Sequence, residues 1–224
     1  MHETAGLTAL IITFFLGPRE NKTTPSQNPG YVLIGAAMLW VGWFGFNGSS
    51  QLAADSIAAV AITFTHISAA AASLTWALWE KVKYGRGSLV GVVTGTMAGL
   101  ASIAPASGFV DPIKALIIGS LAGILCQEAV IVVPTKLNID DTLDVFAVHD
   151  VVGIFCTIMV AAFGVATWQS QLGAIGFIAI FTYVVSVVLV KFVGLLTSLR
   201  VDIEIETNGL DLSVHRERAY DRNS

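Results

Sequence analysis

The chain has 224 residues, of which 54% are hydrophobic and 12% are charged, and its mean hydropathy is +0.74. These values exclude an ordinary soluble domain, in which about a quarter of the residues are charged. The formal net charge is −4 and there is no run of basic residues interleaved with aromatic ones, which argues against a nucleic-acid partner.

Seven segments are long and apolar enough to suggest membrane-spanning helices, which need about 20 mostly apolar residues. They cover residues 2–17, 31–48, 55–80, 87–106, 112–134, 144–166 and 173–199. The sequence therefore predicts an all-α, polytopic membrane protein with a bundle of about seven spans in residues 1–199 and a tail in residues 200–224. The first span is the shortest, as if cut at its start, and it has no basic region typical of a signal peptide.

The distribution of Lys and Arg predicts how the chain is oriented. Ten of the 12 basic residues lie in segments 18–30, 81–86 and 135–143 and in the tail, whereas Lys114 lies on the other side and Lys191 within the last span. Basic loops stay on the cytoplasmic side of a membrane. We therefore predict a cytoplasmic tail and, after seven crossings, an N-terminus outside the cell.

Small residues at helical spacing indicate which helix faces pack together. Gly91, Gly95 and Gly99 share one face of the fourth span, and Gly119 and Gly123 lie in the fifth. Rows of this kind let helix backbones approach closely inside a membrane. We interpret these glycines as packing residues.

No catalytic motif is complete in this sequence. The string His2-Glu3-Thr4-Ala5-Gly6 begins like the zinc-protease pattern His-Glu-x-x-His, but Gly6 stands in place of the second His. No nucleophile elbow of the form G-x-S-x-G occurs. Cys126 and Cys156 lie in apolar spans, so we interpret them as core residues rather than a disulfide or a metal pair. We expect neither an enzyme nor a metal or cofactor.

An aromatic face ends the second span. Trp43, Phe46 and Ser50 stand at positions i, i+3 and i+7 of one helix and share a face, and Leu39 lies one turn before Trp43. Aromatic rings and a hydroxyl at an outer mouth can hold a small cation by cation–π attraction and a hydrogen bond. Aromatic residues near a membrane interface also form lipid-facing belts, and from this segment alone we favour the belt.

Two histidines in apolar spans, His2 and His149, are candidates for a functional site, because imidazole is costly in a bilayer. A neutral imidazole donates from one ring nitrogen and accepts at the other, so it can pass a polar solute or a proton. Asp144 precedes His149 near the start of the same helix, where a structural carboxylate suits the helix dipole. For His66 we favour a plain hydrogen bond to a neighbouring helix.

The tail changes from apolar residues to alternating charge at Asp202, Glu204 and Glu206, followed by a turn signal at Gly209 and a basic end. One interpretation is a cytosolic element that folds against the bundle or recruits a partner. The other is a tail that is merely solvated. The charge pattern alone does not favour one of these two interpretations over the other.

Taken together, several strings resemble the ammonium transporters of the Amt/Mep/Rh superfamily, on the Amt side. They are Trp43–Ser50, Gly95–Leu100 with Pro105–Val110, Asp140-Asp141 with Leu143–His149, and Leu199–Val201 with Gly209–Asp211 and Ala219-Tyr220. The strings occur in the family's order along nearly the whole chain. The resemblance implies the C-terminal part of such a transporter, helices five to eleven of an eleven-helix fold, without the first four helices.

The resemblance also implies a function, the transport of ammonium or ammonia through a hydrophobic pore in the cell membrane, for nitrogen uptake. It places Phe46 at the outer gate, Trp43 and Ser50 at the recruitment site, His2 and His149 as a facing pair, Leu39 and Val145 in the pore lining, and Asp144 as a structural carboxylate. It implies a homotrimer in membrane lipid with one pore per subunit. In some members of the family, a PII-type regulator binds at the cytoplasmic face.

The chain departs from the family pattern beside the second histidine. It reads His149-Asp150-Val151-Val152-Gly153, where members usually have His-Gly-Val-Gly-Gly. A carboxylate in the middle of a span costs about 2.5–3.5 kcal/mol on insertion scales, so we expect Asp150 either to pair with Glu128 in protonated form or to be an error or a lesion in the sequence. His66 stands where Asn is common, and Arg216 replaces a Gly in the tail.

Two alternative functions stay open at this point. In the first, the chain is a non-transporting remnant or a subunit that associates with full-length ammonium transporters. In the second, it is a proton-linked transporter of another solute that uses Asp150, Glu128 and His66.

Overall fold

The computed structural model describes residues 1–21 and 26–217, which are mostly helical. The helices are α1 (His2–Leu16), α2 (Pro29–Ser49), α3 (Ser56–Tyr84), α4 (Leu89–Ile103), α5 (Pro112–Lys136), a π-helical turn (Phe146–Val151) that continues into α6 (Val152–Ala162), α7 (Trp168–Leu196), α8 (Ile203–Asn208) and a second π-helical turn (Asp211–His215). There is no strand in these described ranges. The predicted fold class, an all-α polytopic membrane protein, is confirmed.

Within the described ranges, the seven predicted spans correspond to seven apolar helices, but these helices differ in length. Four of them, α2, α3, α5 and α7, are long and apolar enough to cross a membrane. The other three, α1, α4 and the continuous segment Phe146–Ala162, are apolar helices of 10–17 residues. α4 stops at Ile103, short of the predicted 106, because Pro105 cannot continue a helix.

Short polar side chains set where five of the helices begin. The capping residues are Asn28, Asp55, Ser88, Asp111 and Thr167, and each accepts a hydrogen bond from a backbone N–H in the first turn of the helix that follows. α3 ends at Gly85, whose φ of 78° suits the left-handed residue that terminates many helices.

The glycine rows of α4 and α5 pack against α3, as the sequence predicts. A Cβ atom on Gly99 would lie 2.6 Å from the carbonyl oxygen of Ser68, and one on Gly119 would contact the same carbonyl. The Ser68 hydroxyl also donates a hydrogen bond to the Gly99 carbonyl at 2.8 Å. α3, α4 and α5 thus form a close-packed core. Cys126 and Cys156 are fully buried free thiols in this interior, in agreement with their predicted role.

Part of the tail folds back onto the end of α1. Arg200 forms an ion pair of 2.7 Å with Glu206 and donates a hydrogen bond to the carbonyl of Leu16. Glu206 accepts a second hydrogen bond, of 2.8 Å, from the backbone N–H of Glu20. This backbone hydrogen bond, together with the Arg200 guanidinium, lowers the pKa of the Glu206 carboxyl. The start of the tail is therefore an element folded against the bundle.

Several positions used in the sequence argument lie outside the described residues. These are the basic residues Lys22, Arg218 and Arg222 and the matching string Ala219-Tyr220.

Candidate functional site

The structure brings the two candidate histidines into contact. The Nδ1 atoms of His2 and His149 lie 3.1 Å apart, and the rings are stacked with centroids 5.2 Å apart and planes 9° from parallel. His2 opens α1, and His149 lies in the π-helical turn before α6. Gly153 allows this approach, because a Cβ atom there would lie 3.0 Å from the Cβ of His2.

The Nδ1–Nδ1 contact constrains the protonation of the pair. A hydrogen bond between these atoms needs one Nδ1–H donor and one Nδ1 lone pair, so the two rings adopt opposite tautomers. One Nε2 then accepts hydrogen bonds and the other donates them. The Nε2 of His2 is buried without a protein partner in the described residues. It is therefore available to a small solute or to water.

Aromatic rings of α2 cover the His2 side of the pair. The Trp43 ring stacks on His2 with centroids 5.7 Å apart and planes 13° from parallel, and the Phe46 ring lies 5.9 Å from His2. Trp43 and Phe46 also contact each other, with centroids 5.1 Å apart. Trp43 and Phe46 therefore pack against His2 of the pair. This arrangement differs from the lipid-facing belt that the segment alone favours.

A cavity of about 270 Å³ adjoins His2 and Phe46. Its lining includes His2, Glu3, Phe46, Asn47, Ser50 and Thr157. The Ser50 hydroxyl donates its proton to the Phe46 carbonyl at 2.9 Å, so its oxygen lone pairs are the groups that remain to accept a bond. A cation with N–H donors suits such an acceptor.

Asn47 is a lining residue that the sequence argument did not single out. It is 3% exposed, and its amide nitrogen donates a 2.8 Å hydrogen bond to the Thr65 hydroxyl of α3. Thr65 in turn donates to the Ala61 carbonyl at 2.7 Å. This chain of bonds holds the Asn47 amide in one orientation beside the cavity. An amide in an otherwise apolar span is the signal that points to it.

The structure also describes the other residues implied by the resemblance. Leu39 keeps 52% of its surface exposed on α2, and Val145 is half-buried directly before the π-helical turn. Asp144 precedes that turn with a φ of 54°. The side chain that caps the turn is Asp141, whose carboxylate accepts a 2.7 Å hydrogen bond from the Phe146 N–H. The sequence argument missed this role of Asp141.

Asp150 has a different neighbour from the one expected. It is 5% exposed and packs on α1, where its backbone nitrogen would lie 2.6 Å from a Cβ atom on Gly6. Glu128 instead forms an ion pair with Lys83 and accepts from the Trp79 indole. The expected pair of Asp150 and Glu128 is therefore wrong, because Glu128 is bound to Lys83 of α3.

The contacts of His66 also differ from the predicted hydrogen bond. Its ring lies 5.3 Å from the Trp40 ring and 6.0 Å from the Phe44 ring, measured between centroids. Within residues 1–21 and 26–217 it makes these ring contacts and no hydrogen bond to a neighbouring helix, so that prediction is wrong. His66 is exposed on α3, apart from the pair of His2 and His149.

Comparison with known proteins gives one consistent result. The profile of the Ammonium Transporter Family matches residues 1–220. The chain is 37% identical to a putative ammonium transporter of Methanothermobacter thermautotrophicus and 39% identical to ammonium transporter Amt1 of Archaeoglobus fulgidus, with 98% of the chain covered in both cases. It spans 58% and 60% of the length of these two relatives.

Solved structures with a similar fold come from the same family as the sequence relatives. A sensor Amt protein superimposes with a TM-score of 0.84 at 28% identity, over 95% of this chain and 57% of that one. Candida albicans Mep2 superimposes with a TM-score of 0.80 at 28% identity, over 89% of this chain and 50% of that one. By its sequence profile, its relatives and its fold, the chain belongs to the ammonium transporter family.

Proposed function

We propose that this chain forms part of a path for ammonium or ammonia across the cell membrane, and that the path passes the His2 and His149 pair. The observation that carries the proposal is the 3.1 Å contact between these imidazoles beneath the rings of Trp43 and Phe46. The relatives are named ammonium transporters, which supports the choice of solute.

The chemistry of the site favours an ion that can lose its charge. Dehydrating a cation in a medium of low dielectric costs on the order of tens of kcal/mol, whereas a cation–π contact returns about 0.5–2 kcal/mol. The Trp43 and Phe46 rings and the Ser50 oxygen can therefore recruit ammonium at the cavity without carrying it further as an ion. Ammonia can continue past the imidazoles, while potassium, which has no proton to lose, cannot.

The remaining residues have the following roles in this proposal. Phe46 forms the outer gate, and Leu39 and Val145 line the apolar path. Asp144 serves as a structural carboxylate at the helix start. The N-terminus faces outside and the tail faces the cytoplasm, as the basic loops predict.

The chain spans only about 58–60% of its two archaeal relatives, so we propose that the other wall of the path comes from the further segments that such transporters have. These segments belong either to the same polypeptide or to an associated one, corresponding to the first four helices of the fold. The active assembly is a homotrimer, and a PII-type protein acts on the cytoplasmic face.

A second candidate is a non-transporting subunit that associates with full-length relatives. One observation favours it, which is the uncovered apolar surface of α2 within the described residues. Leu33, Ile34, Met38, Leu39 and Val41 each keep more than 40% of their surface exposed. Mass measurement in detergent separates the two candidates, since a subunit of this kind forms mixed assemblies with a relative and adds no uptake.

Uptake of labelled methylammonium tests the transport proposal. Cells without ammonium uptake of their own express the chain together with the N-terminal helices of a relative. We expect uptake in these cells, and His149→Ala should lower it at least about tenfold, a barrier increase of about 1.4 kcal/mol. His66→Ala is the matched control, because it removes an intramembrane imidazole outside the path. Equal uptake by the two variants, or no uptake in any combination, contradicts the proposal.

A further inference from the structure

Thr157 on α6 lines the same cavity as His2, Asn47 and Ser50, although neither the sequence argument nor the family resemblance assigns it a role. Its position follows from Gly153, which lies one turn earlier in α6 and packs directly on His2. The Thr157 hydroxyl donates a 2.9 Å hydrogen bond to the Gly153 carbonyl. The hydroxyl is therefore held one helical turn from the contact with His2, in the wall of the cavity.

The hydroxyl groups of Thr157 and Ser50 are in the same hydrogen-bonding state. A hydroxyl has one proton and two lone pairs. The Thr157 proton is used within α6, and the Ser50 proton goes to the Phe46 carbonyl at 2.9 Å. In this arrangement both oxygens accept hydrogen bonds from a ligand in the cavity and donate none.

The network around Asn47 fixes which end of its amide is left for a ligand. Thr65 has one hydroxyl proton, which is donated to the Ala61 carbonyl, so the 2.8 Å contact between Thr65 and Asn47 requires an N–H from the amide. The amide nitrogen therefore lies at Thr65, and the opposite end of this planar group is the oxygen. Because Asn47 is 3% exposed and lines the cavity, its oxygen is the atom that remains to accept a bond there.

The cavity also adjoins the Nε2 of His2, which is buried without a protein partner among residues 1–21 and 26–217. When His2 donates from Nδ1 to the Nδ1 of His149, this Nε2 is an acceptor as well. Two charged groups line the cavity too, the carboxylate of Glu3 and the amine of Met1, and Met1 is 79% exposed. A cavity lined mainly by acceptors suits a ligand that carries several N–H donors.

Ammonium has four N–H donors and no acceptor. We propose that Thr157 is a further ammonium-binding residue, and that its oxygen and the Asn47 oxygen accept two of these N–H groups beside the Nε2 of His2. This inference rests on the proposed function and adds specificity-determining side chains to it. Because each N-methyl group removes one donor, these acceptors favour ammonium over methylammonium, and methylammonium over dimethylammonium.

Thermal unfolding of the full chain in detergent measures binding without any transport, since a ligand that binds the folded state raises the unfolding midpoint. Ammonium chloride is titrated against potassium chloride at equal concentration, with the unmodified chain, Thr157→Val, Thr157→Ser and Thr94→Val. Val keeps the shape of Thr and removes the oxygen, whereas Ser keeps the oxygen. Thr94 is the matched control, because its hydroxyl also donates to a carbonyl one turn earlier, that of Val90, and it lies outside this cavity.

We expect the dissociation constant for ammonium to rise about tenfold or more in Thr157→Val and to stay close to the unmodified value in Thr157→Ser and Thr94→Val. The loss of one acceptor should also narrow the preference for ammonium over dimethylammonium, whereas a merely structural change weakens both ligands alike. The assignment is overturned if ammonium stabilises the unmodified chain no more than potassium does, or if Thr157→Val binds ammonium as tightly as the unmodified chain.

Methylammonium uptake separates this inference from the proposed function. In cells that express the chain with the N-terminal helices of a relative, the half-saturating concentration should rise about tenfold or more in Thr157→Val and stay constant in Thr94→Val. If binding depends on Thr157 but no combination takes up methylammonium, the proposed function fails while the binding role stands. If uptake occurs with the same half-saturating concentration in Thr157→Val and the unmodified chain, the function stands and the role of Thr157 is refuted.

Discussion

The imidazoles of His2 and His149 are stacked with their Nδ1 atoms 3.1 Å apart, although 147 positions separate the two residues in the chain. This contact joins the first helix to the π-helical turn that precedes α6. Wide turns of this kind occur often at functional sites. Here the turn contains both His149 and Asp150, so one local irregularity positions an imidazole and a buried carboxyl on the same helix.

Gly153 determines how closely the histidines approach. A Cβ atom there would lie 3.0 Å from the Cβ of His2, so we expect Gly153→Val to displace the His2 ring. In the uptake assay described above, the flux of methylammonium should fall about tenfold or more, as expected for a small misplacement at a reacting centre. Gly176→Val is the control, because no described residue beyond the adjoining turns of its own helix lies within 4 Å of a Cβ at Gly176. Equal flux in both variants would refute this role of Gly153.

The hydrogen bond between Asn47 and Thr65 should contribute to stability. Thr65 is fully buried, and it is the acceptor for the Asn47 amide at 2.8 Å. Thr65→Val keeps the shape of the side chain but leaves a buried amide donor unpaired, which costs about 1–3 kcal/mol. Thermal unfolding in detergent measures the loss. Thr94→Val serves as the control, since Thr94 is half-buried and its hydroxyl donates to the Val90 carbonyl within its own helix, and a loss of the same size there would contradict the prediction.

The contact of α5 with α3 depends on the absence of a side chain at Gly119. A Cβ atom at this position would overlap the backbone of Ser68, so Gly119→Ala should destabilise the bundle by about 1–3 kcal/mol through overpacking. The same change at Gly173 in α7 meets open space and should be neutral or slightly stabilising. Unfolding transitions of the two variants, measured side by side, test the prediction. It fails if Gly119→Ala is as stable as Gly173→Ala.

The contact between the tail and α1 should weaken in acid. The Glu20 N–H and the Arg200 guanidinium lower the pKa of Glu206 in the folded protein. A group whose pKa is lowered by folding stabilises the fold above its ordinary pKa, here 4.5, and loses that contribution as the pH falls through the folded value. Limited proteolysis of the tail should therefore become faster as the pH falls below about 4.5.

Glu206→Gln is the control for this pH dependence, because it removes the titrating group. We expect its tail to be cleaved faster than that of the unmodified chain at neutral pH, with little further change in acid. A tail in the unmodified chain that resists the protease equally at both pH values would contradict the prediction.

Some site residues could be found from the sequence because they share one helix. Trp43 and Phe46 are three positions apart, so helical geometry places them on one face without knowledge of any other element. The apolar segments and the polar caps likewise carry local information. Asp141 was missed, because the backbone group that it caps, the Phe146 N–H, is known only from the structure. Asn47 was missed although its amide stands out in an apolar span, because its position beside the cavity depends on the bond to Thr65 of α3.

The sequence by itself determined that this protein is an all-α polytopic membrane protein, and its motifs identified the family. Only the tertiary structure decided which helix meets which. It placed Trp43 on His2 rather than toward lipid, Asp150 against Gly6 rather than Glu128, and His66 on the rings of Trp40 and Phe44. The physical reason is that periodicity fixes the direction of a side chain around its own helix axis, whereas its partner depends on close packing between distant segments.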